Sequence, residues 1–373
     1  MLTTPLVALV LAAGVSPVLL APYDEPQVAF SFADPRIAES SGLASSSTDG
    51  DVLFTHNDSG DVARFYAVGP DGATLVTYTL PDVQARDWED MARGPDEKGR
   101  SSLWLGDIGD NNAARDNGLL VHRVREPVPG DDASVTTERP TSFRLRYVDG
   151  PRDAEALLIH PRTGRLYVVS KPFAGPANVY AAPEQLDPGG PNALEQVAQV
   201  DLQPTSTTGG PGIGNLAQVL VTAGDIAPDG SRIALRTYTD LYEWAVPGDD
   251  VAAAFDGAPT VTPLPATRQG EGLAYSRDGR AVLLSSEGEG APVHRLIALP
   301  SQSSQSSQSS QSQSPRLPPS SPNSDADADV DAAGRTPAGP DTGRPLWPVA
   351  LVGAFAAGAL AVALRRYRKF PRR

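Results

Sequence analysis

Acidic side chains recur at matching places along this chain, and in that pattern they could bind a metal cation. Five short segments share a run of acidic or small residues followed by small and apolar ones: residues 40–44, 88–92, 154–158, 223–227 and 270–274. Aligning them gives one column of Ser41, Glu89, Glu155, Gly224 and Glu271, and a second of Gly42, Asp90, Ala156, Asp225 and Gly272. Carboxylates that converge on one small volume cannot all stay ionised unless a cation or a proton offsets them. Calcium, which takes several oxygen ligands, is the predicted partner.

Further oxygen ligands follow the next apolar run in the first two copies. The candidates are Asn57, Asp58, Asp107 and Asp110, and Glu287 follows the corresponding run in the fifth copy. In two other copies the same place holds Lys171 and Arg236, which could bind an anion such as a phosphate or a carboxylate. The alternative is that these Asp and Asn residues serve only the backbone geometry of turns. The sequence leaves both interpretations open.

A catalytic role is predicted for only a few side chains. The candidates are Glu89, Asp90, His56, Lys171 and Arg236. His56 is preferred among the four histidines because Asn57 and Asp58 follow it directly. The chain contains no cysteine, which excludes a thiol nucleophile, a disulfide and cysteine-ligated zinc. It also lacks the G-x-S-x-G elbow and the phosphate-loop and dinucleotide motifs.

The elements that must position these groups are short β-strands. In the first copy, β-type runs at 42–44, 51–55, 64–68 and 74–80 are separated by Asp-Gly turns and a polar cluster. Such a unit, repeated about every 50 to 70 residues, predicts an all-β fold, a β-propeller of five four-stranded blades. A sixth blade, hidden in residues 184–214, is the alternative. The fifth copy ends before a fourth strand, so residues 27–32 are predicted to supply it and to close the ring.

The two ends of the chain resemble targeting and anchoring segments. Residues 1–21 are predicted to be a secretory signal peptide, with an N-terminal membrane anchor as the alternative. The propeller is assigned to residues 22–300, and residues 301–345, rich in Ser, Gln, Pro and Asp, are predicted to form a disordered linker. Residues 346–364 hold no charge and would form about 28 Å of helix, enough to cross a membrane.

The basic tail at residues 365–373 orients this predicted membrane helix. By the positive-inside rule the tail is cytoplasmic and the propeller extracellular. Residues 339–343 resemble a sortase signal, except that Gly339 replaces the leucine, so covalent attachment to the cell wall is the alternative to a single membrane span. The net charge is −14 at pH 7, and without the basic tail the chain is more acidic still. A surface of this sign argues against nucleic-acid binding.

Motifs in the first part of the chain resemble those of a known family. They are Glu39-Ser40-Ser41-Gly42-Leu43, Thr55-His56-Asn57-Asp58-Ser59-Gly60-Asp61, Asp87-Trp88-Glu89-Asp90, Gly106-Asp107-Ile108-Gly109-Asp110-Asn111 and Arg125-Glu126-Pro127. With them the chain resembles secreted bacterial β-propellers related to phytase-like and esterase-like propeller domains, over about residues 30–300. For true propeller phytases, the resemblance implies calcium-assisted hydrolysis of phosphate esters. The basic phosphate ligands of such enzymes are not matched, because Lys171 is the domain's only lysine besides Lys98.

Two functions of different classes follow from these observations. The first is a membrane-tethered extracellular module that binds a ligand or a protein, with calcium in its central channel. The alternative is a calcium-dependent phosphoesterase or esterase-like hydrolase in which metal-activated water is the nucleophile. The first is preferred because the sequence shows no complete catalytic set and a fold hosts many functions. Whether the protein is an enzyme stays open.

Overall fold

The computed structural model describes residues 23–299, which form short strands, one α-helical turn and one 3-10 helix. The segments predicted to be a signal peptide, a linker, a membrane helix and a cytoplasmic tail lie outside these residues. Within the described part of the chain, no helix is both long and apolar enough to span a membrane.

The strands follow one another with little other structure between them. Their bounds are β1 (Gln27–Ser31), β2 (Ser40–Ser45), β3 (Leu53–Asn57), β4 (Arg64–Val68), β5 (Thr74–Thr79), β6 (Trp88–Pro95), β7 (Ser101–Asp107), β8 (Leu119–Arg125), β9 (Ser134–Thr136), β10 (Thr141–Tyr147), β11 (Ala154–Ile159), β12 (Leu166–Ser170), β13 (Ala177–Ala181), β14 (Pro191–Val200), β15 (Val221–Ile226), β16 (Arg232–Thr237), β17 (Asp240–Ala245), β18 (Thr260–Pro263), β19 (Gly270–Tyr275), β20 (Ala281–Ser286) and β21 (Pro292–Ile297). The α-helical turn, α1, is Val251–Ala254, and the 3-10 helix is Gly214–Gln218.

Hydrogen bonding groups the strands into antiparallel four-stranded units. In chain order these are β2-β3-β4-β5, β6-β7-β8-β10, β11-β12-β13-β14, β15-β16-β17-β18 and β19-β20-β21-β1. The second and third units join into one eight-stranded sheet because β10 and β14 pair in parallel. The short strand β9 adds to the outer edge of the first unit, beside β5.

The first strand of each unit faces a common centre. β2, β6, β11, β15 and β19 each contact the next, and β19 contacts β2, so that they close a ring. Small residues permit this approach: a Cβ added to Gly42 would lie 2.6 Å from the backbone nitrogen of Met91 on the neighbouring strand. The prediction of an all-β, propeller-like fold is therefore confirmed.

The apolar core lies between neighbouring units rather than in one central mass. Between the first two units, for example, Phe54 and Phe65 pack with Met91 and Leu105. Alternate residues of each strand face each of the two interfaces, which is why both faces of the inner strands are apolar or small. Each large side chain buried in this way contributes about 1.5–3 kcal/mol.

The N-terminal strand closes the ring. β1 pairs antiparallel with β21, and Gln27 lies opposite Arg295 while Ser31 lies opposite Pro292. The sequence predicted this pairing for residues 27–32. Residues 184–214, the proposed location of a sixth blade, contribute β14 and no further sheet within the described part of the chain.

Candidate metal centre

Each inner strand carries a bulge near its start, and the bulge sets the register of the candidate ligands. The first residue of each of these strands pairs with the last residue of its unit's second strand, as Trp88 does with Asp107, and the register then shifts. Residues at the bulge are Ser41, Glu89, Glu155, Thr222 and Glu271. A bulge re-aims side chains at the end of a sheet. Three glutamates therefore occupy equivalent places at one end of the ring.

This register differs from the sequence alignment in one copy. The alignment placed Gly224 with the glutamates, whereas β15 begins at Val221 and puts Thr222 there instead. The alignment was two residues out because the small and apolar residues of this copy fit either offset. Asp225 consequently lies further along its strand, away from the bulge.

Five carboxylates meet at this end of the ring, and we call them the acidic hub: Asp58, Asp87, Glu89, Glu271 and Glu287. They form two groups that share Asp58. In each group, one carboxylate oxygen from every residue lies within 4.8 Å of the others. Glu89 and Glu271 are buried, while Asp58, Asp87 and Glu287 are half-buried, so that the hub opens toward solvent.

Burial and mutual repulsion raise the pKa values of four of the hub's carboxyl groups. Burial, followed by the charges of Glu271 and Asp87, raises the pKa of Asp58 well above its ordinary value. Burial raises the pKa of Asp87 to about 6. Burial, together with Asp58 and Glu155, raises the pKa of Glu89, and burial with Glu287 raises that of Glu271 to about 8. A divalent cation would favour the ionised forms of the same groups.

One ammonium group borders the hub. The Lys171 Nζ donates to Glu155 Oε2, and also to the hydroxyl oxygen of Tyr238 at 2.9 Å. Burial disfavours its charge, but Glu155 and the other nearby acidic groups outweigh that effect and raise the pKa of Lys171. The pKa of Glu155 is nevertheless raised to about 8, because burial outweighs the attraction of Lys171.

The hub residues fit a hard cation on three observations. All the possible ligand atoms for the cation are carboxylate oxygens, which calcium prefers. Glu271 Oε2 is buried and has no hydrogen-bond partner among the described residues, although such a group is normally satisfied. At Gly109 an added Cβ would lie 2.6 Å from Asp87 Oδ2 and would overlap Glu89 Oε1, so the backbone leaves this side of the hub free of side chain.

Two other predicted ligands lie among backbone donors instead. Asp90 is fully buried; its Oδ2 accepts from the backbone N–H groups of Leu157 at 2.9 Å and Gly224 at 3.2 Å. It therefore ties β6 to β11 and β15. Asp225 accepts from the N–H groups of Ile226 and Tyr275, both at 2.8 Å, and ties β15 to β19. Both carboxylates hold the inner ring together.

The remaining predicted ligands shape loops around the hub. Asn57 donates to the carbonyl of Arg36 at 2.7 Å and to Asp61 at 2.8 Å. Asp107 pairs with the guanidinium of Arg115 at 2.7 Å. Asp110 accepts from the backbone N–H groups of Ala114 and Arg115, which is the turn chemistry considered as the alternative for these residues.

His56 and Arg236, both predicted catalytic candidates, are buried within the fold. The Nδ1 of His56 donates to the carbonyl of Asn57 at 2.9 Å, and its ring lies edge-on to Trp88. Burial lowers the pKa of His56, so the ring is neutral. Arg236 donates to the carbonyls of Gly272 at 2.7 Å and Ser285 at 2.6 Å. Its guanidinium thus binds backbone rather than facing a free anion site.

Two residues of the site were absent from the sequence candidates, Asp87 and Tyr238, whereas Glu287 was among the predicted oxygen ligands. Asp87 directly precedes the first strand of its unit, and Glu287 directly follows the second strand of another, as Asp58 does. A signal for Asp87 existed, since Asp153 precedes the next copy in the same way. Tyr238 had no such signal, because its contact with Lys171 joins two units 67 residues apart.

Comparisons with known proteins add little to this geometry. No protein-family model matches the chain, and no curated protein matches it. Among solved structures, a gluconolactonase from Xanthomonas campestris resembles this one with a TM-score of 0.41 and 12% sequence identity, over 77% of this chain and 99% of the other. A likeness of that size does not indicate a shared activity. The family resemblance of the sequence motifs stays a prediction.

Proposed function

We propose that this protein is a five-bladed propeller that binds calcium at the acidic hub and serves as an extracellular ligand- or protein-binding module. The observation that carries the proposal is the pair of carboxylate groups sharing Asp58, each with oxygens within 4.8 Å of one another. Four-stranded units around five inner strands support five blades rather than six. The orphaned acceptor of Glu271 supports a ligand at the hub.

In this proposal the chain's own residues hold and orient the ion. Glu89 and Glu271 supply buried oxygens from two inner strands, while Asp58, Asp87 and Glu287 approach from the loops. When it is bound, a divalent cation supplies a Lewis-acid centre that attracts anionic ligand groups. Lys171 and Tyr238 lie beside the hub and could donate to the same ligand, since the charge of Glu271 acts on both side chains.

Hydrolysis of phosphate or carboxylate esters is the second candidate function. Lys171 and Tyr238 favour it, since two donors beside a cation site could stabilise negative charge that develops on an ester oxygen. Among the predicted catalytic residues, Glu89 and Lys171 are the ones whose position supports such chemistry. A screen of generic carboxylate and phosphate esters, with and without calcium, separates this function from binding alone: turnover that calcium stimulates and Lys171→Met abolishes would favour the enzyme.

Calcium titration of the full-length chain, freed of metal by a chelator, tests the cation site. We expect saturable binding by calorimetry and a rise in melting temperature with calcium. Gly109→Ala should weaken binding at least tenfold, because its Cβ would crowd Asp87 and Glu89 without changing any charge. Gly130→Ala is the matched control, since nothing lies within 4 Å of the added Cβ there. Unchanged binding in Gly109→Ala, or no binding in the parent chain, would contradict the proposal.

Tethering at the cell surface is part of the same proposal. It is supported by the uncharged run at residues 346–364 and by the basic residues that follow it. Protease added to intact cells should release a fragment containing the propeller, while the basic tail stays protected until the cells are lysed. Resistance of the propeller in intact cells, with cleavage only after lysis, would place it on the cytoplasmic side.

A further inference from the structure

A small pocket lies at the same end of the ring as the acidic hub, between the second and third strand units. Its volume is about 180 Å³. One wall is the loop that follows β7, with Asp110 and Asn111, and another is the loop that follows β12, with Lys171 and Phe173. Complete ligand sites usually have volumes of roughly 300–1,000 Å³. This pocket therefore has room for one part of a ligand, not for the whole of it.

The pocket adjoins the hub through two of its wall residues, Asp110 and Asp153. The backbone N–H of Asp110 donates to Asp153 Oδ1 at 2.7 Å. Gly109, which directly precedes Asp110, is the glycine whose added Cβ would meet Asp87 and Glu89 of the hub. After burial, the charge of Asp153 is among the causes that raise the pKa of Asp87 and that of Glu89. A ligand bound at the hub therefore has this pocket beside it.

The charged side chains on the pocket walls balance one another, with two acidic and two basic groups: Asp110, Asp153, Arg152 and Lys171. Each of them already has a partner within the fold. The partners are the Ala114 N–H for Asp110 at 2.9 Å, the Asp110 N–H for Asp153 at 2.7 Å, the Asp149 carboxylate for Arg152 at 2.8 Å, and Glu155 for Lys171. Because these charges are balanced and paired, the pocket itself does not select for a charged group.

Phe173 is the side chain on these walls that is most available to a ligand. It is 67% exposed, and it is the only exposed phenylalanine within residues 23–299. Pro172 and Ala113 extend the apolar surface of the pocket next to it. An aromatic ring that is left in solvent at the edge of a pocket offers a flat apolar face on which a second ring can pack. The pocket therefore suits an uncharged, flat and apolar group.

The wall opposite Phe173 is already in place before a ligand binds. Ala113 has a φ of +48°, a left-handed conformation that is unfavourable for a residue with a Cβ. Its N–H donates to the carbonyl of Asp110 at 2.7 Å, and the Asp110 carboxylate accepts from the N–H of Ala114 at 2.9 Å. These hydrogen bonds hold the loop in one shape in spite of that unfavourable conformation. Such conformations are concentrated at ligand sites.

We propose that the hub and this pocket together bind a small anion that carries an aromatic ring, with its oxyanion group at the cation of the hub and its ring against Phe173. The inference rests on the calcium site proposed above and names the class of ligand that this site takes. The cation attracts the oxyanion, and the charge-balanced pocket accepts the uncharged ring. Phe173 is thus the residue that determines specificity for the ring.

Two phosphonates that differ in the ring test this proposal on the full-length chain loaded with calcium. Phenylphosphonate carries the ring and methylphosphonate does not, and neither contains an ester bond, so that binding is measured without turnover. We expect phenylphosphonate to bind about tenfold more tightly by calorimetry and to raise the melting temperature further. Glucose 6-phosphate, whose ring carries hydroxyl groups, should bind no more tightly than methylphosphonate.

Variants of Phe173 locate the ring. Phe173→Ala should lose most of the preference for phenylphosphonate and leave the binding of methylphosphonate unchanged, whereas Phe173→Trp should keep the preference. Val128→Ala is the control, since Val128 is 71% exposed and Glu126, two residues earlier, accepts from Ser46 and Ser47 at the opposite end of the first unit. All three variants should keep the calcium response of the parent, because each changes an exposed apolar side chain and no charge.

Three results would overturn the inference and leave the calcium site standing: equal binding of the two phosphonates, an undiminished preference in Phe173→Ala, or glucose 6-phosphate binding as tightly as phenylphosphonate. Phenylphosphonate binding of equal strength in excess chelator would also overturn it, because the oxyanion would then be held without the cation. If the parent chain binds no calcium, the proposed function and this inference fail together, and the calcium titration alone reveals that outcome.

Discussion

The ammonium of Lys171 lies 2.9 Å from the hydroxyl oxygen of Tyr238 and 4.9 Å from the centre of its ring, although the two residues belong to different strand units. Lys171 follows β12, and Tyr238 lies between β16 and β17. The contact holds a cationic group beside the acidic hub. Because Lys171 also pairs with Glu155, its charge offsets part of the repulsion among the buried carboxylates.

Replacing Lys171 by Met should therefore destabilise the metal-free protein in a pH-dependent way. At pH 8, where Glu155 and Glu271 begin to ionise, the loss should be about 3 kcal/mol, because a buried charge is left without its partner. At pH 5 both carboxyl groups hold their protons, so the loss should be clearly smaller. Urea unfolding in chelator at the two pH values measures this difference.

Tyr238→Phe is the control for that substitution. It removes the hydrogen bond but leaves the ammonium and its pairing with Glu155 in place. Its cost should be about 1 kcal/mol and nearly the same at pH 5 and pH 8. A Lys171→Met cost that is equally independent of pH would mean that the lysine acts through packing rather than through charge.

The raised pKa values of the hub also predict how the metal-free parent responds to pH. Glu271 has a pKa of about 8 in the folded protein, against an ordinary value of 4.5. Between these values the folded chain holds protons that the unfolded chain has lost, so stability falls as pH rises. The contribution is complete below about pH 4.5 and is lost as pH rises through 8. Each unit of pKa difference corresponds to about 1.4 kcal/mol.

Calcium should reverse this trend, because cation binding favours the ionised carboxylates and releases their protons. Melting temperatures across pH 5 to 8.5, in chelator and in calcium, should therefore diverge as the pH rises. Glu271→Gln should flatten the chelator curve, since its amide does not titrate. An identical slope in parent and variant would show that the pH dependence arises elsewhere.

Glu89 and Asp90 are neighbours in sequence, and their substitution should have opposite effects. Glu89 faces the other carboxylates of the hub, so Glu89→Gln should keep or raise stability in chelator and lose the calcium-dependent rise in melting temperature. Asp90 accepts three backbone hydrogen bonds, so Asp90→Asn should cost about 2 kcal/mol because its amide N–H would face another donor. Its calcium response should remain.

Differential scanning calorimetry with and without calcium measures both variants together. Glu184→Gln, which alters a side chain 85% exposed on the surface, serves as the control and should match the parent in both conditions. If Glu89→Gln keeps its calcium response, the hub does not bind the ion. If Asp90→Asn loses the response without losing stability, Asp90 belongs to the site and not to the ring's backbone network.

The sequence predicted the strands of this fold better than it predicted the site. Period-two apolar runs and Asp-Gly turns locate strands because they follow from local geometry, and the five inner strands were all anticipated. The bulge in each inner strand was not anticipated. The alignment of the fourth copy was therefore wrong by two residues, and Asp225 was counted among the ligands. A bulge depends on pairing with another strand, which local sequence pattern does not record.

Contacts between strand units also could not be predicted from local sequence patterns. Glu89 and Asp90 are adjacent acidic residues that the sequence does not distinguish. In the structure Asp90 accepts from backbone N–H groups of two other strands, whereas Glu89 lies among carboxylates. The backbone groups that occupy Asp90, those of Leu157 and Gly224, are 67 and 134 residues away from it in sequence. Only the folded arrangement separates them, and the same holds for Tyr238 and Lys171.

Closure of the ring can be tested at a glycine that touches the N-terminal strand's end. Gly72 has a φ of +82°, and an added Cβ would overlap the carbonyl of Ser31, whose carbon would lie 2.9 Å away. Its own carbonyl accepts from Ala33 at 2.9 Å, so this turn holds the segment that leads out of β1. Gly72→Ala should displace that segment and loosen the pairing of β1 with β21.

We expect Gly72→Ala to cost about 3 kcal/mol. Gly99→Ala is the matched comparison, because Gly99 has a φ of +74° but an added Cβ would meet nothing within 4 Å. It should cost only about 1 kcal/mol, from the left-handed backbone alone. Urea unfolding measures both costs, and hydrogen exchange should show faster exchange of the β1 amides in Gly72→Ala only. Equal costs and unchanged exchange would mean that the turn at Gly72 contributes nothing to holding β1, and that the ladder between β1 and β21 closes the ring by itself.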